Sequence, residues 1–484
     1  MGTDTAAEID EHVVVVGCGP VGAGLAILLR DHGLAVTVIA RHRAMYHLPR
    51  AIMLGEDVRR SFRHHGLEAH IGPMVTPMYG AEFVDTDRNR LLGFDLPEGT
   101  LGSLGFPTSS MFHQPDLDFM LRTVARERGA ELRLGASVTG LSQTDDDVTV
   151  ALDDGSSIRA GWVVGCDGAQ SSVRSLAGIG TEDLGFDQDW LVVDIDGWRG
   201  AEKKLARVAQ QICDPVRPAT FVPGHAHHLR WEFQLQDGET AEQLEQPDTV
   251  WELVSPWLHP SEGSLIRAVV YRFHAMVADR MRDRRVFLAG DSAHQMPPFL
   301  GQGLNSGFRD ALNLAWKLRL VVDEGAGDPL LDTYGTERLP HARGVVEHAA
   351  DVGRLIDSLA GRVDHEVDES SGYGGGRAFP HIEQGAVVGD SPLVGHPFRQ
   401  LRPDRGFTDD LLDSGFNVVS AGAISQVPAS LTSVVDRVVT VPEELLGGHA
   451  AAVVRPDQIV AAVADDATAL DSAADALAAT MALR

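Results

Sequence analysis

His12-Val13-Val14-Val15-Val16-Gly17-Cys18-Gly19-Pro20-Val21-Gly22-Ala23-Gly24-Leu25 is the stretch on which the fold turns. A β-branched run that breaks into glycines and resumes with small apolar residues reads as a buried strand, a tight turn and a helix. The strand covers 12–16, the helix 20–32, and a second buried strand follows at 35–40. Gly17, Gly19 and Gly22 form a GxGxxG fingerprint in that context. Gly17 allows the tight turn, Gly19 lets backbone approach a pyrophosphate, and Gly22 lets helix pack on strand. The helix start offers free N–H groups and a positive dipole to phosphates. Against a purely structural turn, dinucleotide binding is the better reading.

Such a unit usually ends its second strand with an acid that holds the ribose hydroxyls. That place falls near Ala40, which is followed by Arg41, His42 and Arg43. The basic cluster fits a 2′-phosphate, hence NADP. It fits equally an FAD held without that hydrogen bond, and the fingerprint alone does not choose.

The remaining composition sets limits. At 484 residues the chain is long enough for two or three domains. A hydrophobic content of 44% and a charged content of 23% are those of a soluble globular protein. The net charge of −28 argues against nucleic acid or an anionic membrane as partner. Cys18, Cys166 and Cys213 lie far apart, with no CxxC and no metal-ligand pattern. A reducing cytoplasm is the expected setting. Acidic Glu8, Asp10 and Glu11 precede the first apolar stretch, where a signal peptide needs Lys or Arg.

Further along, 131–134, 148–152 and 161–165 read as strands of the same region. Alternating stretches at 191–195, 229–235 and 265–273 indicate a mostly antiparallel sheet covering a pocket. Nucleotide-binding texture returns at 285–345, where Leu304, Phe308, Ala311, Leu312, Ala315 and Trp316 share one helix face. The first domain is therefore discontinuous. A long helix is expected at 335–361, then a linker or mobile loop at 364–376. Residues 385–484 read as a small α/β domain, with strand candidates at 434–441 and 450–454, a further element at 457–465, and an Ala-rich helix at 467–483.

Two more motifs carry chemistry. Val163-Val164-Gly165-Cys166-Asp167-Gly168 and Val286-Phe287-Leu288-Ala289-Gly290-Asp291 are strands ending in Gly-Asp or Cys-Asp-Gly turns. A carboxylate beside a glycine suits a sugar or ribityl hydroxyl. Either alone would be an ordinary turn or cap. With the fingerprint, their order and spacing resemble the class A FAD-dependent aromatic hydroxylases, the para-hydroxybenzoate hydroxylase fold. The nearer resemblance is to the 3-(3-hydroxyphenyl)propionate hydroxylase-like subgroup. It is carried by Leu48-Pro49-Arg50-Ala51, Met111-Phe112-His113-Gln114-Pro115, Leu184-Gly185-Phe186-Asp187, Trp190 to Asp194, Trp231-Glu232-Phe233 and the run Ala289 to Leu318.

The resemblance spans about 12–350 and implies a fold and a site. The fold is α/β: a Rossmann-like FAD-binding domain (1–70, 100–180 and 280–350), an inserted antiparallel substrate domain (71–99 and 181–279), a helix end and linker (351–384), and a C-terminal thioredoxin-like domain (385–484) without CxxC. Gly17, Gly19, Pro20, Val21 and Gly22 would hold the pyrophosphate, with Arg50 nearby. Gln114 and Asp291 would contact the ribityl chain, and Val138 the adenine. Asp167 and Gly168 belong to a motif tied to both FAD and NAD(P)H. Pro298 would lie against the flavin ring, while Gly301, Gly303, Leu304 and Asn305 would present backbone N–H groups to its pyrimidine end. The family has Glu where this chain has Ala40; Arg41 is retained.

The resemblance further implies a monooxygenase that consumes NAD(P)H and O2 and hydroxylates a phenolic ring through a flavin C4a-hydroperoxide. Epoxidation or Baeyer–Villiger oxidation of a polycyclic or non-aromatic substrate is the alternative, and a catalytically silent FAD-fold protein the third. Gln211, Trp231, Phe233 and Phe299 are the candidate pocket residues, with ordinary core as the plainer reading of each aromatic. No base is evident. His294, Arg272 and His274 are candidates, against a structural or solvent-facing role. The C-terminal domain is a candidate surface for a homodimer.

Overall fold

The computed structural model describes residues 11–198, 200–323, 325–362, 381–401, 406–435 and 437–483, so the expected loop at 364–376 lies outside the described residues. β1 (His12–Val16), α1 (Pro20–Asp31) and β2 (Ala35–Ala40) form the first βαβ unit. β3 (Glu131–Leu134) extends the sheet beyond β2, and β4 (Trp162–Gly165) lies on the other side of β1. Val286–Leu288 joins β4 in parallel, and the antiparallel Arg282–Asp283 closes that edge of six strands. Residues 13–16 are buried on both faces, as a parallel sheet covered by helices requires. The strand expected at 148–152 is formed, but it pairs with Val138–Gln143 and Ser157–Ala160 in a separate three-stranded sheet.

The second large sheet has eight strands. Its centre is β5 (Thr181–Gly197), flanked by Gly263–Ala278 and by β6 (His228–Gln234). Ala219–Pro223, Ala209–Ile212, Gly80–Val84 and Arg90–Asp95 continue it outward. One neighbouring pair, Ala209–Ile212 with Gly80–Val84, is parallel; the others are antiparallel. The sheet has two unlike faces. On one, Leu191, Val193, Ile195, Leu229, Trp231 and Phe233 pack beneath α2 (Pro247–Val254). The other carries Val192, Asp194, Arg230, Glu232 and Arg267. Cross-strand partners share a face, and Val192 stands opposite Glu232 as Asp194 stands opposite Arg230.

This alternation corrects two pocket expectations. Trp231 and Phe233 are buried in the α2-covered core, beside Phe221 and Trp257, and do not line the large cavity on the sheet's other face. The side-chain period of two sends them away from the pocket while Arg230 and Glu232 face it. Trp231→Ala should therefore destabilise the fold by about 3–5 kcal/mol, the scale of a buried aromatic deletion. Denaturant unfolding would measure this, and the KM for substrate should stay near the parent value.

α3 (Gly303–Asp323) and α4 (Pro329–Leu359) pack against the first sheet and the cavity side of the second. α4 starts earlier than the periodicity indicates because Pro329 serves at its first turn. At the C-terminal end, strand order is Val438–Thr440, Asn417–Ser420, Ala451–Val454, Val460–Ala464. The first two are parallel and the later pairs antiparallel. α5 (Ala467–Met481) covers this sheet. The strand candidate at 434–441 shortens to Val438–Thr440, because residues 429–431 form a 3-10 turn that runs on through 434. Asn417–Ser420 had been missed: four residues beside several glycines carry too little pattern.

Candidate functional site

Between the two sheets lies a cavity of about 1470 Å³, larger than the several hundred cubic ångströms of an ordinary small-molecule pocket. Its size suits a dinucleotide together with a substrate.

At one end is the glycine turn. Gly17 has φ +110°, and a Cβ there would lie 2.2 Å from the Cys166 carbonyl oxygen. A Cβ at Gly22 would lie 2.0 Å from the Gly17 oxygen. Both glycines serve the packing of turn, helix and β4. Gly19 differs, since a Cβ there would meet nothing within 4 Å, and the residue lines the cavity. Gly19 also caps α1 without any side-chain acceptor, and Pro20 occupies its first turn. The first N–H groups of α1 are thus left for a ligand. Pro20 and Val21 line the same end. Gly290 and Gly307 let the Gly-Asp turn and α3 close on Val21: a Cβ at Gly307 would lie 2.5 Å from its Cγ2. Gly307 was not singled out in the sequence, since a mid-helix glycine has no local signature of its packing partner.

Asp291 lines the cavity, is exposed, and has no partner among the described residues. Asp167 does not line it. Its carboxylate accepts from the backbone N–H groups of Ser172 and Val173 and from the Ser171 and Ser292 hydroxyls. It ties the β4 turn to the Gly-Asp turn, while the adjacent Gly168 faces the cavity. Gln114 is buried and accepts through Oε1 from the N–H groups of Arg50 (3.1 Å) and Ala51 (2.6 Å), so it fixes the segment that carries Arg50. Both residues line the cavity. Neither Ala40, Arg41 nor Val138 does. The Ala40 carbonyl accepts from Gly135 and Ala136, Arg41 is exposed, and Val138 is buried in the first core.

The loop before α3 is built for close approach. Pro298, Gly301, Gly303 and Leu304 line the cavity. Gly301 has φ +62°. Asn305 is fully buried, and its side chain accepts from Gly55 N–H at 2.8 Å and donates to the Met53 and Gly301 carbonyls. It braces the loop and does not face the cavity. His294 is likewise structural. Its Nε2 lies 2.7 Å from Asp310 Oδ2, and Asp310 also receives Arg338 and the Gly290 N–H. Arg272 and His274 reach the cavity rim, where Arg272 is exposed and paired with Asp187.

The cavity-facing side of the eight-stranded sheet holds Gln211, accepting from the Thr220 hydroxyl at 2.6 Å, and Phe299 lines the cavity as well. Sequence reasoning missed what stands beside them. Asp194 is wholly buried and receives His228 Nε2 (2.7 Å), Arg230 Nε (2.8 Å) and Arg267 Nε (2.8 Å). Burial pushes its carboxyl up, but the two guanidiniums and the imidazole outweigh this and hold it well below the usual carboxylate range. Arg230 also donates to the Pro49 and Arg50 carbonyls. Glu232 is also buried, lines the cavity and has no hydrogen-bond or ion-pair partner among the described residues; burial pushes it up to about 7. The signal was present, since Arg230 and Glu232 alternate with Leu229, Trp231 and Phe233. Charged residues inside an apolar alternation mark the face turned to a site.

Comparison with known proteins agrees with this geometry. Residues 10–349 match the model of the FAD binding domain family. The chain is 39% identical over 351 residues to a probable NADH-specific resorcinol 4-hydroxylase of Rhodococcus jostii, covering 71% of this chain and 65% of that protein. The chain thus spans just under two thirds of that relative's length. It is 37% identical over 437 residues to a 3-(3-hydroxy-phenyl)propionate/3-hydroxycinnamic acid hydroxylase of Mycolicibacterium smegmatis, covering 84% of this chain and 76% of that one. Among solved structures, aklavinone-11 hydroxylase in complex with FAD and aklavinone superposes with a TM-score of 0.81 at 25% identity, over 98% of this chain and 99% of that chain. Matched to that family over residues 10–349, and to hydroxylase relatives at 37–39% identity, the chain belongs to the FAD-binding domain family.

Proposed function

We propose that this protein is an FAD-dependent, NAD(P)H-consuming monooxygenase that hydroxylates a phenolic small molecule. The observation that carries the reading is one cavity that joins a dinucleotide cradle to a polar sheet face. When bound, FAD supplies hydride acceptance from NAD(P)H and activation of O2 for transfer of one oxygen atom to an electron-rich ring carbon. The residues of this chain do the rest. Gly19, Pro20 and Val21 with the start of α1 would hold the pyrophosphate. Asp291 would accept from a ribityl hydroxyl. The N-terminus of α3, after Gly301, would set N–H groups and a positive dipole against negative charge on the reduced ring. Pro298 and Phe299 on one wall and Val192, Gln211 and Glu232 on the other would orient the substrate and exclude water. NADH is the favoured donor, following the R. jostii relative's name.

The same reading divides the chain into a discontinuous FAD-binding domain (1–70, 100–180, 280–350), a substrate domain (71–99, 181–279) and a C-terminal thioredoxin-like domain (385–484). The strand order of the last supports this, and its lack of CxxC gives it no dithiol chemistry. A second reading, a tailoring enzyme acting on a larger polycyclic ring, is favoured by the cavity volume and by the full-length likeness to aklavinone-11 hydroxylase.

The test is direct. Purified protein should be yellow, and NADH oxidation should rise when resorcinol, 3-(3-hydroxyphenyl)propionate or an anthraquinone phenol is added, with labelled oxygen from O2 in the product. A colourless protein that fails to take up added FAD would overturn the assignment. Flavin reduction without oxygen in any product would make it an oxidase.

A further inference from the structure

Glu232 is the one cavity-facing carboxyl of the eight-stranded sheet's inner face that has no partner among the described residues. It sits in the middle of β6, opposite Val192 on β5 and Thr220 on the neighbouring strand. It is 5% exposed, accepts no hydrogen bond and joins no ion pair. An unpartnered buried carboxylate is costly unless a ligand satisfies it. Glu56, the other raised carboxyl on the cavity, already accepts from the Leu104 N–H at 2.9 Å.

The neighbours say what that ligand is. Every element packed around Glu232 contributes its charged groups: Arg230 on β6, Asp194 on β5, and Arg267 with Tyr271 on Gly263–Ala278. Thr220 and Gln211 on the outer strands are neutral and bonded to each other. The two arginines are engaged. Arg230 serves Asp194 and two carbonyls, and Arg267 serves Asp194 and the Tyr271 hydroxyl at 3.1 Å. Both arginines are oriented by Asp194, and among the described residues Glu232 faces the cavity with no donor of its own. We infer that Glu232 accepts a hydrogen bond from the ring hydroxyl of a phenol and takes its proton, acting as a catalytic base. This rests on the monooxygenase reading above.

The step balances within the pair. The phenol O–H bond breaks and its electron pair stays on the phenol oxygen, raising electron density at the ortho and para carbons. The proton moves to a Glu232 carboxylate oxygen. It returns from Glu232 to the phenol oxygen once the ring is hydroxylated, while the proton displaced from the hydroxylated ring carbon leaves with the second oxygen atom of O2 as water. Burial, opposed by Arg230 and Arg267 and reinforced by Asp194, pushes the Glu232 carboxyl up to about 7. The base form therefore gains population as pH rises through that value, where proton-transfer catalysis works best.

The experiment compares wild type with Glu232→Gln in the FAD-loaded full chain, using resorcinol, NADH and O2 from pH 6 to 10. Wild-type kcat/KM should rise through about pH 7. In E232Q the product-forming kcat should drop about 10²–10⁴-fold at pH 7, the range of one acid–base group. Resorcinol Kd and FAD content should stay within a few-fold, and the rising limb should move toward the phenol's own ionisation, near 10 for a tyrosine-like hydroxyl. An unchanged rate and profile in E232Q overturns the inference. So does a loss equal at every pH, which marks a packing role. Should E232Q not retain FAD, Glu232→Asp replaces it: the limb should shift yet persist, and an unmoved limb overturns the inference. A wild type that no phenol stimulates fails the monooxygenase reading itself, before any variant is made.

Discussion

Gly19→Ala is expected to fold as stably as the parent and yet lose FAD, whereas Gly22→Ala is expected to lose both. The contrast follows from where each added methyl would go. At Gly19 the backbone is extended, with φ −77°, and a Cβ meets nothing within 4 Å of the protein. Apoprotein melting should not change. The open space is where the pyrophosphate must come close, so the methyl competes with the ligand alone. At Gly22 the Cβ would sit 2.0 Å from the Gly17 carbonyl oxygen and 3.2 Å from Cys166 Cβ. A backbone oxygen cannot swing aside as a side chain can, so α1 must shift away from β1 and β4. Overpacking of this kind costs about 1–3 kcal/mol. If the apoprotein relaxes by shifting α1 and FAD binding must force it back, FAD affinity falls by about 5–150-fold. Flavin absorbance after gel filtration, paired with thermal melting of the apoproteins, reads both effects. Equal destabilisation of the two variants would show that Gly19 is a packing glycine.

Asp194→Asn should be the most damaging single change on the eight-stranded sheet. The carboxylate is the shared anion of Arg230, Arg267 and His228, all nearly without solvent contact. Its removal leaves two buried guanidiniums uncompensated, a loss of about 3–5 kcal/mol. The consequence extends to the cofactor, because Arg230 also holds the carbonyls of Pro49 and Arg50, and the next residues rest on Gln114. FAD retention should weaken with stability. The pH dependence has a definite sign. The folded carboxyl is held below its ordinary value, so its contribution is present above about pH 4, the unfolded range, and is lost as pH falls toward the folded value. Urea unfolding from pH 3 to 8 should show the wild type losing its margin over Asp194→Asn at the acid end. A constant margin at every pH would mean that another interaction holds the cluster.

Local rules made much of this molecule legible. Gly17, Gly19 and Gly22 could be placed because turn sterics, helix-start chemistry and strand periodicity act over a few residues. The strand ends before Asp167 and Asp291 were visible for the same reason, and so were β1 and β2, whose bounds match the observed ones. Within those motifs, however, roles separated only in three dimensions. Asp291 faces the cavity, while the equally placed Asp167 turns inward to hold Ser172 and Val173. Asn305 braces Gly55 and Gly301, and His294 serves Asp310. Those partners lie far away in the chain and leave no mark on the local pattern.

The segment Arg230-Trp231-Glu232-Phe233 shows the division most clearly. By itself the sequence determined that it is a strand with one charged and one aromatic face, since alternate side chains must point to opposite sides. It did not determine which face meets the site. That was decided by α2 covering the aromatic side and by strand register setting Asp194 opposite both Arg230 and Arg267. Covering one face with an apolar helix makes it core; the face left against the cavity then keeps its charges because partners on neighbouring strands neutralise them. Trp231 and Phe233 became core by that choice, and Glu232 was left facing the cavity without one.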